Sequence, residues 1–377
     1  MPTKTKVLTI LGTRPEIIRL SAVIKELDAR VEHVLVHTGQ NYDYELNEIF
    51  FKDLGLRKPD HFLEAAGTTA IETIANLLVK TDEILEKEKP DAVLVLGDTN
   101  SALAIYAAKR RKTPIFHMEA GNRCFDERVP EEINRRIVDH TSDINLVYSE
   151  RAREYLLREG FPPDRIIKTG SPMFEVLTAH ADQIKSSGVM KKLGLARGTY
   201  FVASFHREEN VGTERGALRI KEILDRLAAT YTLPIILSLH PRTKKVFEER
   251  HIVLPKLVQA QKPLGFFDYV ALETNAACVL SDSGTINEES SILGFPAVNV
   301  REAHERPEAS DEGITVLAGL NPDRVLEAVA LAIAYAKEGK KARLVADYSM
   351  PNVSQKVVQT ILGYVGYVKR RIWFEGI

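Results

Sequence analysis

Short apolar runs recur along the chain. Each gives way to a small, polar or charged residue and then to a longer stretch with helical spacing. In the first half the runs are Val7–Leu11, His33–His37, Ala92–Leu96, Ile115–Met118 and Ile144–Tyr148; in the second half they are Tyr200–Phe205, Ile235–Leu239, Ala277–Leu280 and Ala297–Val300. Apolar residues are continuous within a run instead of alternating with polar ones, as expected of strands covered on both faces. Helix-like stretches such as Ile71–Lys87 and Ser101–Arg111 separate the runs. Strands alternating with helices build parallel βαβ units, so the pattern predicts an α/β protein of two Rossmann-like, doubly wound domains. The polar stretch Ala181–Gly198 predicts connecting helices and loop, and the first domain is predicted to end after Thr169-Gly170-Ser171-Pro172. Ligands of such sheets bind beyond the carboxyl ends of the strands, and a cleft between the two domains is the expected site.

Composition then removes whole classes of function. A chain of 377 residues suits two domains, and 51 basic against 52 acidic residues leave a net charge of −1. Such a balance provides no general field for nucleic acid or an anionic membrane, so any anion site must be local. Two cysteines, Cys124 and Cys278, are too few for a disulfide framework or a cysteine-rich zinc site and fit a reducing cytoplasm. No signal-peptide pattern precedes Arg14-Pro15-Glu16, and no apolar stretch is long enough to span a bilayer. The run from Ile361 to Trp373, with Lys369, Arg370 and Arg371, predicts an amphipathic helix that packs on protein. Neither G-x-G-x-x-G nor G-x-x-x-x-G-K-[ST] occurs, so nicotinamide and P-loop chemistry are disfavoured; the ten histidines are not spaced as metal ligands, and no metal or cofactor is expected.

The candidate chemistry therefore lies in the segments just after the strands. The first run leads into Gly12-Thr13-Arg14-Pro15-Glu16, the third into Gly97-Asp98-Thr99, and the fourth into Glu119-Ala120-Gly121-Asn122-Arg123. In the second half the corresponding segments are His206-Arg207-Glu208-Glu209-Asn210, His240-Pro241-Arg242-Thr243, Asp282-Ser283-Gly284-Thr285 before the helix pattern Ile286–Leu293, and Arg301. A Ser283-Gly284 turn at a helix start suits a phosphate as well as it suits an ordinary cap. Arg14, His206, His240 and Arg301 at other strand ends add the positive charge a diphosphate needs and tip the balance. Glu119 resists a packing explanation, because a carboxylate ending a buried strand needs a partner or a function. Asp98 is equally consistent with a helix cap. Glu131 and Arg135, i,i+4 neighbours on the helix predicted from Pro130, read in isolation as a solvated helix start. The loop His37-Thr38-Gly39-Gln40 reads as a chain turn, His140 as a helix-surface residue, and Phe266, Phe267 and Tyr269 as helix packing.

Taken in order, Leu11-Gly12-Thr13-Arg14-Pro15-Glu16, Gly97-Asp98-Thr99, His117-Met118-Glu119-Ala120-Gly121, Pro130-Glu131-Glu132-Ile133-Asn134-Arg135, Ser281-Asp282-Ser283-Gly284 and Glu305-Arg306-Pro307-Glu308 resemble the non-hydrolysing UDP-N-acetylglucosamine 2-epimerases over nearly the whole chain. The resemblance implies the two-domain architecture of GT-B glycosyltransferases, with a C-terminal helix returning to the first domain. That assigns 1–172 and 356–377 to a catalytic domain and 173–355 to a UDP-binding domain. It implies a cytoplasmic homodimer with a UDP-sugar as substrate. By position it makes Asp98, Glu119, Glu131 and His206 catalytic, with Arg135 supporting Glu131. It gives Arg14, His240, Ser283 and Gly284 to the diphosphate, Glu289 to the ribose and Arg301 to the uridine region. Arg19 replaces a lysine common in the family and keeps its charge in the substrate site. Thr285 stands where many members have a second glycine, and Asn41 follows Gln40 where members with an allosteric sugar-nucleotide site usually have histidine. The stretches Gly121–Asp126 and Val138–Asn145, with Asp347-Tyr348-Ser349 and Asn352-Val353-Ser354, are similar to the UDP-N-acetyl-L-fucosamine synthases, which implies UDP-2-acetamido-2,6-dideoxy-L-talose as substrate. The alternative is interconversion of UDP-N-acetylglucosamine and UDP-N-acetylmannosamine.

The implied chemistry explains the residue types. A pyranoside C2–H has no adjacent carbonyl, and general-base help of about 10²–10⁴-fold does not overcome that. Breaking C1–O first makes the ring cationic and the C2 proton acidic, giving a 2-acetamidoglycal and UDP. Cations on the diphosphate and carboxylates near the ring serve that sequence. A GT-B glycosyltransferase, a hydrolysing 2-epimerase and a sugar-nucleotide sensor remain as rivals.

Overall fold

Each predicted run forms a strand in the computed structural model, which describes residues 4–39 and 44–375. In the first sheet these are β1 (Lys6–Leu11), β2 (Glu32–His37), β4 (Ala92–Leu96), β5 (Ile115–Ala120) and β6 (Ile144–Val147), with β3 (His61–Phe62) and β7 (Ile166–Lys168) outside them. In the second they are β8 (Phe201–Ser204), β9 (Ile235–Ser238), β11 (Cys278–Ser281) and β12 (Ala297–Asn299), with β10 (Val258–Gln261) and β13 (Val316–Leu317) outside. The sheet orders are β3-β2-β1-β4-β5-β6-β7 and β10-β9-β8-β11-β12-β13, and the paired strands run parallel. The four strands absent from the sequence reading, β3, β7, β10 and β13, are the four sheet edges. Half-exposed and two to four residues long, they never bury two faces and so lack a continuous apolar run.

The order reverses between β1 and β4 in one sheet and between β8 and β11 in the other. At such a switch point the loops leave in opposite directions and open a crevice beyond the strand ends. Helices cover both faces of each sheet. In the second unit Ile220, Leu224 and Leu227 of helix Glu214–Tyr231 join Phe201, Leu237 and Leu280 in one buried core. The predicted helix Ser101–Arg111 begins instead as a 3-10 turn, Asn100–Ala104, before Ile105–Arg110.

The chain divides into two compact units, one of residues up to Arg123, Pro130–Ala179 and Ser349 onward, the other of Cys124–Val129 and His180–Tyr348. The boundary thus follows Ala179, not Pro172. Helix Met173–Ala179 buries Met173, Val176 and Leu177 in the first unit, and Glu175 there receives the Ser354 amide at 2.9 Å. The return falls after Tyr348, ahead of the predicted residue 356. Helix Val353–Arg371 then buries Val357, Val358 and Ile361 in the first unit, and Lys356 donates to the Thr169 carbonyl at 3.1 Å. Among the described residues no helix is long and apolar enough to cross a membrane.

Candidate active site

In the first unit a buried carboxylate joins the two loops at the switch point. Glu16 sits in the first turn of helix Arg14–Arg30, behind Pro15. Its Oε2 accepts from the Gly12 amide at 3.0 Å and the Thr13 hydroxyl at 2.7 Å, and its Oε1 from the Thr99 hydroxyl at 3.1 Å. The β1 loop and the β4 loop are thereby tied together. Burial pushes the Glu16 carboxyl up to about 7, against the pull of its hydrogen-bond donors. Gly12 leaves room here: a Cβ would lie 2.0 Å from the Thr38 hydroxyl and 2.3 Å from that of Ser101, so both would have to shift.

The β4 loop carries Asp98. One of its carboxylate oxygens receives Nε and Nη2 of Arg135, at 2.9 and 2.7 Å, while Nη1 of the same guanidinium reaches Glu132 at 2.8 Å. Asn134 holds the Asp98 carbonyl at 2.9 Å. Helix Pro130–Thr141 therefore grips the loop through Asn134 and Arg135. The i,i+4 reading of Arg135 named Glu131 alone and missed Asp98 and the fully buried Glu132. Glu131 itself lies half-buried in the first turn.

Glu119 interrupts β5. Its φ is +64°, unusual for a residue with a Cβ, and the register with β6 shifts between Met118 and Ala120. That conformation costs about 1–3 kcal/mol. The carboxylate is ion-paired with Arg19 from helix Arg14–Arg30, and both side chains are buried. Arg14 lies over the Phe50 ring, 5.9 Å from its centre.

The second unit repeats the arrangement. Asp282, after β11, is fully buried and accepts from the His206 and Arg207 amides and the Asn210 carboxamide at 3.0–3.1 Å, and its other contact is His206 Nδ1 at 3.0 Å. Burial opposes its ionisation, but the imidazole of His206 and the converging N–H groups hold the carboxyl down at about 2. His206 lies next to His240, ring centres 5.9 Å apart. The Ser283 hydroxyl bonds that of Thr285 at 2.9 Å. A Cβ on Gly284 would meet Glu305 at 2.4 Å. Arg301 is buried, with Nη1 on Glu305 at 2.7 Å and Nη2 3.4 Å from Glu209, so its charge is balanced within the unit instead of standing free at a strand end. Glu289 is buried on helix Ile286–Leu293. Burial, with Glu289 close by, pushes the Glu273 carboxyl well above the usual range.

Comparison with known proteins shows the family. The family model of UDP-N-acetylglucosamine 2-epimerases matches residues 25–362. This chain belongs to that family. The structure of UDP-N-acetylglucosamine 2-epimerase from Rickettsia bellii superposes with a TM-score of 0.92 at 49% identity, covering 99% of this chain and 100% of that one. The Methanocaldococcus jannaschii enzyme, crystallised in complex with UDP-GlcNAc and UDP, superposes at 0.89 with 32% identity, over 96% of this chain and 100% of that one. UDP-2,3-diacetamido-2,3-dideoxy-D-glucuronate 2-epimerase of Pseudomonas aeruginosa is 37% identical over 328 residues, 85% of this chain and 90% of its own. The epimerase is accordingly an isomerase with a GT-B-like pair of parallel-sheet domains.

Of the predicted residues, Arg14, Arg19, Asp98, Glu119, Glu131 and Arg135 belong to strand-end loops and adjoining helices of the first unit. His206, His240, Ser283, Gly284, Glu289 and Arg301 belong to the second. The residue pair Gln40-Asn41 lies outside the described residues. Sequence reasoning gave Glu16, His117 and Asp282 no work of their own. For His117 and Asp282 the signal was a polar residue inside or just after an apolar run, which burial makes costly unless it is bonded; Glu16, in the first turn of a helix, carried no such signal. Among the described residues no cluster of His, Cys, Asp and Glu is placed to hold a metal.

Proposed function

We propose that this epimerase inverts C2 of a UDP-2-acetamido sugar by eliminating UDP and adding it back. The C1–O bond breaks and UDP leaves with the electron pair; a base removes the C2 proton; the product is a 2-acetamidoglycal. A proton then returns to C2 on the other face, and the UDP oxygen re-forms the bond to C1. The observation that carries this reading is the pair of charged couples Asp98–Arg135 and Glu119–Arg19 in neighbouring strand-end loops. Those carboxylates suit a developing oxocarbenium ion. Glu131 and His206 complete the catalytic set, Arg14, His240, Ser283 and Gly284 are assigned to the departing diphosphate, and Glu289 and Arg301 to the nucleoside.

The names of the relatives support UDP-N-acetylglucosamine and UDP-N-acetylmannosamine as the interconverted pair. A second reading, the 6-deoxy-L-talo substrate, draws on the stretches Gly121–Asp126 and Val138–Asn145. Incubation in D₂O with each UDP-sugar, without acceptor or NAD, tests both. The expected product is the C2 epimer carrying deuterium at C2. Release of free sugar, or product without deuterium, overturns the mechanism; the larger kcat/KM assigns the substrate.

The second unit is expected to bind UDP without the sugar. Ser283→Asp sets a like charge against the phosphates at a helix start and is expected to abolish binding measured by calorimetry. Unchanged affinity removes this turn from the diphosphate site.

A further inference from the structure

His117, on β5, is fully buried, and both of its ring nitrogens face acceptors. Nε2 lies 2.8 Å from the carbonyl oxygen of Gly97, which can only accept. Nδ1 lies 2.9 Å from Asp139. That carboxylate already receives the Gly121 amide, at 3.2 Å to each oxygen, and Nη1 of Arg123 at 2.6 Å, so it is ionised and also accepts only. The ring must donate twice, with a proton on each nitrogen. A buried imidazolium is tolerated when its charge is matched. Asp139 faces it directly and shares its charge with Arg123, and Glu159 closes the set by taking Nε and Nη2 of Arg123 at 2.8 and 2.6 Å; His140 lies 3.3 Å from Glu159 on the outside. Two positive and two negative groups balance.

The position of this clamp gives it a consequence. Gly97 immediately precedes Asp98, and its amide also bonds the Met118 carbonyl at 2.9 Å. Gly121 follows Glu119 by two residues. One ring–carboxylate pair therefore holds both loops from which the two candidate acids project. We propose that His117 is a positioning residue: its doubly donating ring, braced by Asp139, fixes the Gly97 carbonyl and so the placement of Asp98 relative to Glu119. This rests on the proposed function, in which both carboxylates act on the sugar.

Two substitutions separate the two bonds. In His117→Asn the carboxamide nitrogen falls near Nδ1, keeping Asp139 and releasing Gly97. In His117→Gln it falls near Nε2, keeping Gly97 and releasing Asp139. His117→Asn is expected to lower kcat on the order of 10²-fold, the scale of a misplaced catalytic group, with KM and UDP affinity nearly unchanged; His117→Gln is expected to retain most of kcat. Equal losses in both, tracking a fall in melting temperature, would mean a merely structural role and overturn the proposal, as would full activity of His117→Asn. Should neither variant fold, ¹⁵N NMR of the unaltered protein decides: both His117 ring nitrogens are expected to carry a proton, and a neutral, single-tautomer ring refutes the clamp. If the unaltered enzyme isomerises no UDP-sugar, the proposed function fails, and the same spectrum still decides the clamp.

Discussion

Asp98→Asn and Glu119→Gln are each expected to cut kcat by about 10²–10⁴-fold, the range of a positioned acid or base, while UDP affinity stays near that of the unaltered enzyme. Asp98 receives two N–H groups of one guanidinium on a single oxygen. An asparagine can present its oxygen there, but it removes the negative charge that the cationic ring and Arg135 both face. Glu119→Gln likewise leaves Arg19 buried without this ionic partner. Breaking a buried pair costs roughly 3–5 kcal/mol, so each variant needs a denaturation curve beside its kinetics. A loss of kcat larger than the folded fraction explains, with UDP binding retained, is the expected pattern. Either variant keeping more than about a tenth of kcat would remove that carboxylate from the chemistry.

The second large effect is expected from Asp282→Asn. Holding the carboxyl at about 2, against an ordinary 3.8, makes Asp282 worth roughly 2–3 kcal/mol to folding. The sign comes from the depressed value: this stability is present above about pH 4 and is lost as the pH falls through about 2. The asparagine amide would also point a donor at other donors, the His206 and Arg207 amides and the Asn210 carboxamide. Unfolding free energies of the two proteins should differ most near neutrality and converge toward pH 2. The variant should also lose activity, because His206 loses the partner of its Nδ1. A stability difference that is absent, or the same at every pH, contradicts the assignment. Glu16 works in the opposite sense. Its carboxyl is raised to about 7 from 4.5, so the stability linked to it is full below about 4.5 and is lost as the pH rises through about 7.

Both switch-point carboxylates illustrate what a linear reading finds and what it misses. The central strands were legible because burial on two faces imposes a local, continuous apolar run, and helix Pro130–Thr141 because proline and acids mark its first turn. The edge strands were not, since one exposed side dilutes the same signal. At the site, the residue types just after each strand could be read directly, and the ordered motifs pointed to the epimerase family.

Which of those residues hold one another could not be read that way. Local rules reach three or four positions along a helix, and they offered Glu131 to Arg135. The pairs that build the site span far more: 37 residues for Asp98–Arg135, 100 for Glu119–Arg19, 83 for Glu16–Thr99 and 76 for Asp282–His206. Sheet order brings them together by placing β4 beside β1 and β11 beside β8. The sequence by itself determined the strands, the helices and the chemical groups at their ends. Only the tertiary structure decided the partners, because parallel neighbours in a doubly wound sheet are chosen by packing and crossover handedness, with no trace in the spacing of the residues that finally touch.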